Sequence, residues 1–113
     1  MNEPGNRLPC RGLALALAIS SGACTPIPKG FDSPEPAARM EAALDAAARG
    51  DSAAIPDLIA LLDSDDPATR LVAIGALERL TGQTLGYHYA APEQERADAV
   101  GRWVEWYGRQ ADG

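Results

Sequence analysis

The sequence predicts an all-α fold, a short antiparallel α-solenoid fragment of about four helices preceded by an export signal. Three observations predict it. Apolar residues recur at i, i+3, i+4 and i+7 in successive stretches. Each stretch is bracketed by a capping acid or serine, an early proline and, in most cases, a closing glycine. Finally, an eleven-residue segment repeats at an offset of 31 residues, the self-similarity of stacked helix pairs that cannot bury their apolar faces alone. No stretch alternates with period two for long enough to make a strand.

The first predicted helix spans 34–49. Ser33 or Asp32 can cap it, Pro34 and Pro36 open it, Gly50 ends it, and Met40, Ala43, Leu44 and Ala47 form its apolar face. The second spans 52–63, capped by Asp51 or Ser52, with Ile55, Leu58, Ile59 and Leu62 facing inward. Pro56 is tolerable there only in or beside the first turn. The third spans 67–81: Asp66 caps, Pro67 starts and Gly82 ends it, and its tight face is Ala73, Ala76, Leu77 and Leu80, flanked by Leu71 and Ile74. A loop from Gly82 to Ala91 carries Tyr87, His88 and Tyr89. Pro92 opens the fourth helix, 92–108, with Glu93 and Glu95 where the helix dipole favours acids. Its expected buried face is Val100, Trp103, Val104 and Tyr107, with Asp98–Arg102 and Glu105–Arg109 paired at i, i+4 on the solvent side. Leu62, Leu77 and Val100 are expected to be nearly buried.

The repeat sets Asp32–Ala42 on Asp63–Ala73, with Asp, Ser, Pro, Ala, Arg and Ala coinciding. A partner contact need not recur at that offset. Arg39 and Arg70 are therefore expected to fold back onto their own turns, Arg70 toward Asp63 or a carbonyl of the preceding turn. Ala54-Ile55-Pro56-Asp57-Leu58-Ile59-Ala60-Leu61-Leu62-Asp63 resembles the first helix of a HEAT repeat, in the short bacterial form of the family. Pro67-Ala68-Thr69-Arg70-Leu71-Val72-Ala73-Ile74-Gly75-Ala76-Leu77 resembles its second helix. Leu80-Thr81-Gly82-Gln83, Gly86-Tyr87, Ala91-Pro92, Arg96 and Arg102-Trp103-x-x-Trp106 are similar to the tail closing many bacterial HEAT-like domains. The likeness covers roughly residues 34–107, with one complete repeat, a preceding half and a divergent last helix. It implies a non-catalytic interaction module using a helical surface. It also leaves room for an accessory factor or small enzyme of the lyase type found among HEAT-like bacterial proteins, or for a structural envelope spacer.

Residues 1–23 read as a signal peptide: Arg7 and Arg11 precede a brief apolar core, Leu13–Ile19, followed by small residues. That core is too short to cross a membrane. Ser21-Gly22-Ala23-Cys24 resembles a lipobox, which implies lipid attachment at Cys24, while Ser21-x-Ala23 equally fits an ordinary signal peptidase that would leave Cys24 a free thiol. Thr25 after the cysteine, by likeness to enteric sorting rules, implies the periplasmic face of the outer membrane where the host has one. Residues 24–33, with Pro26, Pro28 and Gly30, read as a tether, unless Ile27 or Phe31 folds back onto the first helix; 109–113 read as a tail.

Function classes narrow further from charge and residue type. A net charge of −6 argues against nucleic acid and against adsorption to anionic lipid. Membrane residence would then rest on acylated Cys24, with another envelope protein as the expected partner. Once Cys10 leaves with the signal, Cys24 is the sole cysteine and no internal disulfide can form. His88 is the only histidine and has no nucleophile–base arrangement around it, so no catalytic residue, cofactor or metal site is expected. Asp63-Ser64-Asp65-Asp66 lacks the later ligands of a calcium loop and reads as helix capping. Trp106, with Tyr87 and Tyr89, is the candidate for partner contact.

Overall fold

The computed structural model describes residues 30–112, so the signal, Cys24 and Ile27 lie outside the described residues. Among the described residues there are four α-helices: α1 (Pro36–Arg49), α2 (Ile55–Leu61), α3 (Pro67–Thr81) and α4 (Glu93–Asp112). Single 3-10 turns stand at Gly30–Asp32 and Ser52–Ala54. The fold is all-helical, as the apolar spacing predicts. No helix among the described residues is long and apolar enough to cross a membrane.

Local chemistry sets most boundaries. Asp66 accepts from the Thr69 N–H and hydroxyl at 3.1 and 2.6 Å, and Pro67 takes the first turn of α3, where a missing donor costs nothing. Gly82 ends α3 at φ 77°, and Gly50 ends α1 at φ 65°, both left-handed conformations that close the last turn. The second predicted helix is instead split. Pro56 lacks the N–H that a helix running from Ser52 would need, so residues 52–54 form a 3-10 turn capped by Asp51 and α2 begins at Ile55. α1 starts two residues later than expected, at Pro36, because Ser33 Oγ takes the Glu35 N–H in a turn of its own. α4 starts at Glu93 and continues to Asp112, past the 108 boundary.

Helices two apart in sequence pack side by side: α1 against α3, and α2 against α4, while α2 also packs against α3. This is a two-layer solenoid with α1 and α3 in one layer and α2 and α4 in the other. Between α1 and α3 the core is alanine-rich, with Ala43, Ala46, Ala47, Ala73 and Ala76 buried around Leu77. Small side chains let these axes approach closely. Ile55, Leu58, Ile59 and Leu62 all face inward as the spacing predicts. Phe31 packs against this cluster, and Ser33 is buried, so the chain folds back onto α1 from Gly30 onward.

Two helix faces differ from expectation. On α1 the inward stripe is Ala43, Ala46 and Ala47, while Leu44 is 59% exposed. With alanine on most sides of this helix, the pattern of large residues did not mark the contacting side. On α4, Ala99 and Trp103 are buried, Val100 is only half-buried, and Val104 and Tyr107 are 58% and 37% exposed. Ala99–Trp103–Trp106 is a complete i, i+4, i+7 face, and its small first residue is fully buried. Leu71 on α3 is likewise exposed, whereas Leu62 and Leu77 are fully buried.

Leu77 is fully buried in the core cluster, so Leu77→Ala is expected to cost about 2–5 kcal/mol through lost burial and the cavity left behind. An unfolding curve superimposed on wild type would contradict the core assignment.

Candidate functional site

Polar chemistry concentrates at one edge, where the α2–α3 turn, the α3–α4 loop and the start of α4 meet. Arg70 is the centre of it, though only 8% exposed. Its Nη1 donates to the Ser64 carbonyl at 2.8 Å and its Nε to the Tyr89 carbonyl at 3.0 Å. Arg39 Nη1 donates to the Ser33 carbonyl at 2.8 Å, the same contact one repeat earlier. Ser64 Oγ likewise accepts from the Asp66 N–H at 3.1 Å, as Ser33 Oγ does from Glu35. The recurrence at an offset of 31 is thus a repeated turn clamp. Of the two expected acceptors for Arg70 the carbonyl is the one used, and the arginine lies deeper than a surface residue.

Side chains of the flanking helices hold the 82–92 loop at several points. The Tyr87 hydroxyl donates to the Leu62 carbonyl at 2.8 Å, Trp103 Nε1 to Thr84 O at 3.0 Å, Arg102 Nε to Leu85 O at 2.8 Å, and Arg96 Nη1 to Ala91 O at 2.6 Å. Leu85 carries the strained φ of 53° next to Gly86 at 78°. A Cβ at Gly86 would stand 2.8 Å from Arg102 Nη2, so the arginine lies over a position that only glycine leaves open. Arg102 is therefore not paired with Asp98, which accepts from Gln94 instead; the Glu105–Arg109 pair does form, at 3.4 Å.

The three aromatic candidates for partner contact have different settings. Tyr87 is 5% exposed and committed to the core, a correction to its surface role; burial raises its phenol above the usual value of 10.0. Tyr89 is half-buried, its ring stacked on His88 at 5.3 Å. Trp106 is also half-buried, edge-on to Trp103 at 5.5 Å. His88 Nδ1 accepts from the Ala90 N–H, so the single histidine serves the loop. Cys24 lies outside the described residues.

Two depressions flank this region. A polar cleft of about 190 Å³ is lined by Asp63, Asp65, Arg70, Glu93 and Arg96. A more apolar groove of about 240 Å³ runs between α3, at Leu71 and Gly75, and the loop, at Tyr87, His88 and Tyr89. Among the described residues no three His, Cys, Asp or Glu side chains are grouped to hold a metal ion. Within the Asp63–Asp66 run, Ser64 makes the turn and Asp66 the cap, while Asp63 and Asp65 line the cleft.

The Asp66 carboxylate is held below its usual 3.8, first by the Thr69 hydroxyl, with the Thr69 and Ala68 N–H groups and Arg39 also favouring the charge against partial burial. A depressed folded-state value stabilises the fold above the unfolded value and is lost as pH falls through the folded one. The stability gap between wild type and Asp66→Ala is therefore expected to be full at neutral pH and to shrink below about pH 3.8 in an acid titration followed by circular dichroism. A gap that widens on acidification would contradict this.

The family model described as HEAT repeats matches residues 27–92. No curated protein and no solved structure matches the chain. The matched span holds the repeat clamps, the alanine-packed pair α1 and α3, and the whole 82–92 loop. It stops where α4 begins, the helix whose sequence departs most from the repeat. By this match, and by its two-layer helical stack, the chain belongs to the HEAT-repeat family.

Proposed function

We propose that this chain is a non-catalytic lipoprotein of the cell envelope that uses its HEAT-repeat surface to bind or scaffold another envelope protein. HEAT repeats commonly mediate protein–protein interaction. The observation that carries the reading is that the polar side chains available for a reactive centre are spent on the protein's own backbone. Arg39, Arg70, Arg96 and Arg102 hold backbone carbonyls, and His88 holds a loop N–H. Anchoring is supported by the Ser21-Gly22-Ala23-Cys24 ending of the signal-like segment, and the acyl chains on Cys24 would supply the membrane affinity that an acidic chain lacks. The outer membrane's periplasmic face is the proposed address in a host that has one.

The experiment is crosslinking in intact cells followed by capture of the tagged protein. One specific envelope partner supports the reading; no partner, together with turnover of a substrate, favours the enzyme alternative. In parallel, cells fed a tagged fatty acid are expected to label wild type and not Cys24→Ala, which should accumulate as precursor. Label retained by the variant would remove the anchor from the account.

A further inference from the structure

The outward side of α4 presents an apolar strip that the other described residues leave largely uncovered. Val104 and Tyr107 are its large members, 58% and 37% exposed, and half-buried Val100 extends it by a turn. From Tyr107 to Asp112 every side chain is exposed, so the helix runs on past its last core residue, Trp106, without tertiary support. Helical segments in water owe most of their stability to such packing. Gly101 and Gly108 lie in the helix interior, where glycine weakens a helix relative to alanine. A Cβ at either position would meet open space, so the fold itself has no use for them. Together with Ala97, Val104 and Ala111 they step by four and three residues along one exposed line, the spacing of a seam that faces a second helix.

Charge states the kind of helix. Asp98, Glu105 and Asp112 fall at seven-residue intervals along one flank of that line, and Val100 and Tyr107 along the other. Glu105 also pairs with Arg109 at 3.4 Å, but that pair is exposed and weak, so the flank stays net acidic. An antiparallel second copy would set acidic flank against acidic flank. A parallel copy would set that acidic flank against the apolar flank of Val100 and Tyr107, leaving its carboxylates without cationic partners. We propose that this face of α4 docks an amphipathic helix of a partner protein, with large aliphatic side chains over Gly101 and Gly108 and Lys or Arg along the flank facing Asp98, Glu105 and Asp112. This rests on the interaction reading above and names its surface.

The probe is a fluorescent synthetic amphipathic peptide with leucines at the seam positions and lysines on the flanks, beside a version with glutamates on the flanks, titrated against the full-length protein by anisotropy. The lysine peptide is expected to bind, and the Gly101→Glu/Gly108→Glu variant to bind it at least about tenfold more weakly, with its helical circular dichroism retained. Asp98→Lys/Glu105→Lys/Asp112→Lys is expected to switch preference to the glutamate peptide. Unchanged binding by both variants, or a wild-type dimer in sedimentation that the glycine variant dissolves, would overturn the assignment. Capture in crosslinked cells separates the two readings. A partner captured equally by wild type and both variants refutes the α4 surface and leaves the interaction function standing. No partner with any of them refutes the function itself.

Discussion

Trp103→Ala is expected to lower stability by about 3–5 kcal/mol, the largest single loss in this domain. Trp103 is fully buried, and its indole N–H holds the Thr84 carbonyl at 3.0 Å. Its ring also seats Trp106 edge-on, an arrangement favoured by the aromatic quadrupole. Because the contacting face of α4 is narrow, one side chain carries much of the docking. Alanine would leave a large cavity and an unpaired carbonyl in the loop together. Trp103→Phe should recover most of the packing yet leave Thr84 O without its donor, a residual loss of about 1–3 kcal/mol. Urea unfolding followed by far-ultraviolet circular dichroism measures both. An alanine variant with the wild-type midpoint would mean that α4 does not depend on this residue.

Arg70→Ala is expected to cost about 2–3 kcal/mol, since one charged fork holds two carbonyls on separate segments, Ser64 O and Tyr89 O. Lysine at this position should not restore it, because a single ammonium cannot reproduce the planar fork that spans both acceptors. Arg39 is half-buried and has one such bond, so Arg39→Ala should cost about 1 kcal/mol. The ordering of the two arginine variants in thermal unfolding distinguishes a turn clamp from a clamp that also ties down the next loop. Equal losses would assign no weight to the Tyr89 contact.

The local signals were the legible ones. Asp66, Pro67 and Gly82 delimit α3 to the residue because a cap, a first-turn proline and a left-handed stop each act within a turn of the backbone they control. The arginine clamp could be read from recurrence: a side chain that reaches back six residues does so in both copies of the repeat. The inward face of α1 was not legible, since alanines on several sides give no contrast in size, and Ala46 rather than Leu44 is buried. On α4 the large residues Val104 and Tyr107 pointed to the wrong face, because the buried face runs through the small Ala99 to Trp103. The burial of Tyr87 rests on a hydrogen bond to Leu62, 25 residues earlier, and Trp103 reaches back 19 residues to Thr84. Such contacts follow from how the layers stack, and no spacing rule along the chain encodes them. For partner contact, aromatic content drew attention to Tyr87, whereas the exposed glycine-bearing line of α4 carries no conspicuous residue type at all.

The repeated arginine and the loop it holds are structural, which leaves the proposed binding to the helical surfaces. Amide hydrogen exchange of wild type and Arg70→Ala, read segment by segment, tests this. Faster exchange is expected across residues 84–91 and at the Asp63–Asp66 turn in the variant, with the central turns of α1 and α3 still protected. Unchanged protection of the loop in a folded Arg70→Ala protein would contradict it, and would make Arg70 a candidate for the binding surface.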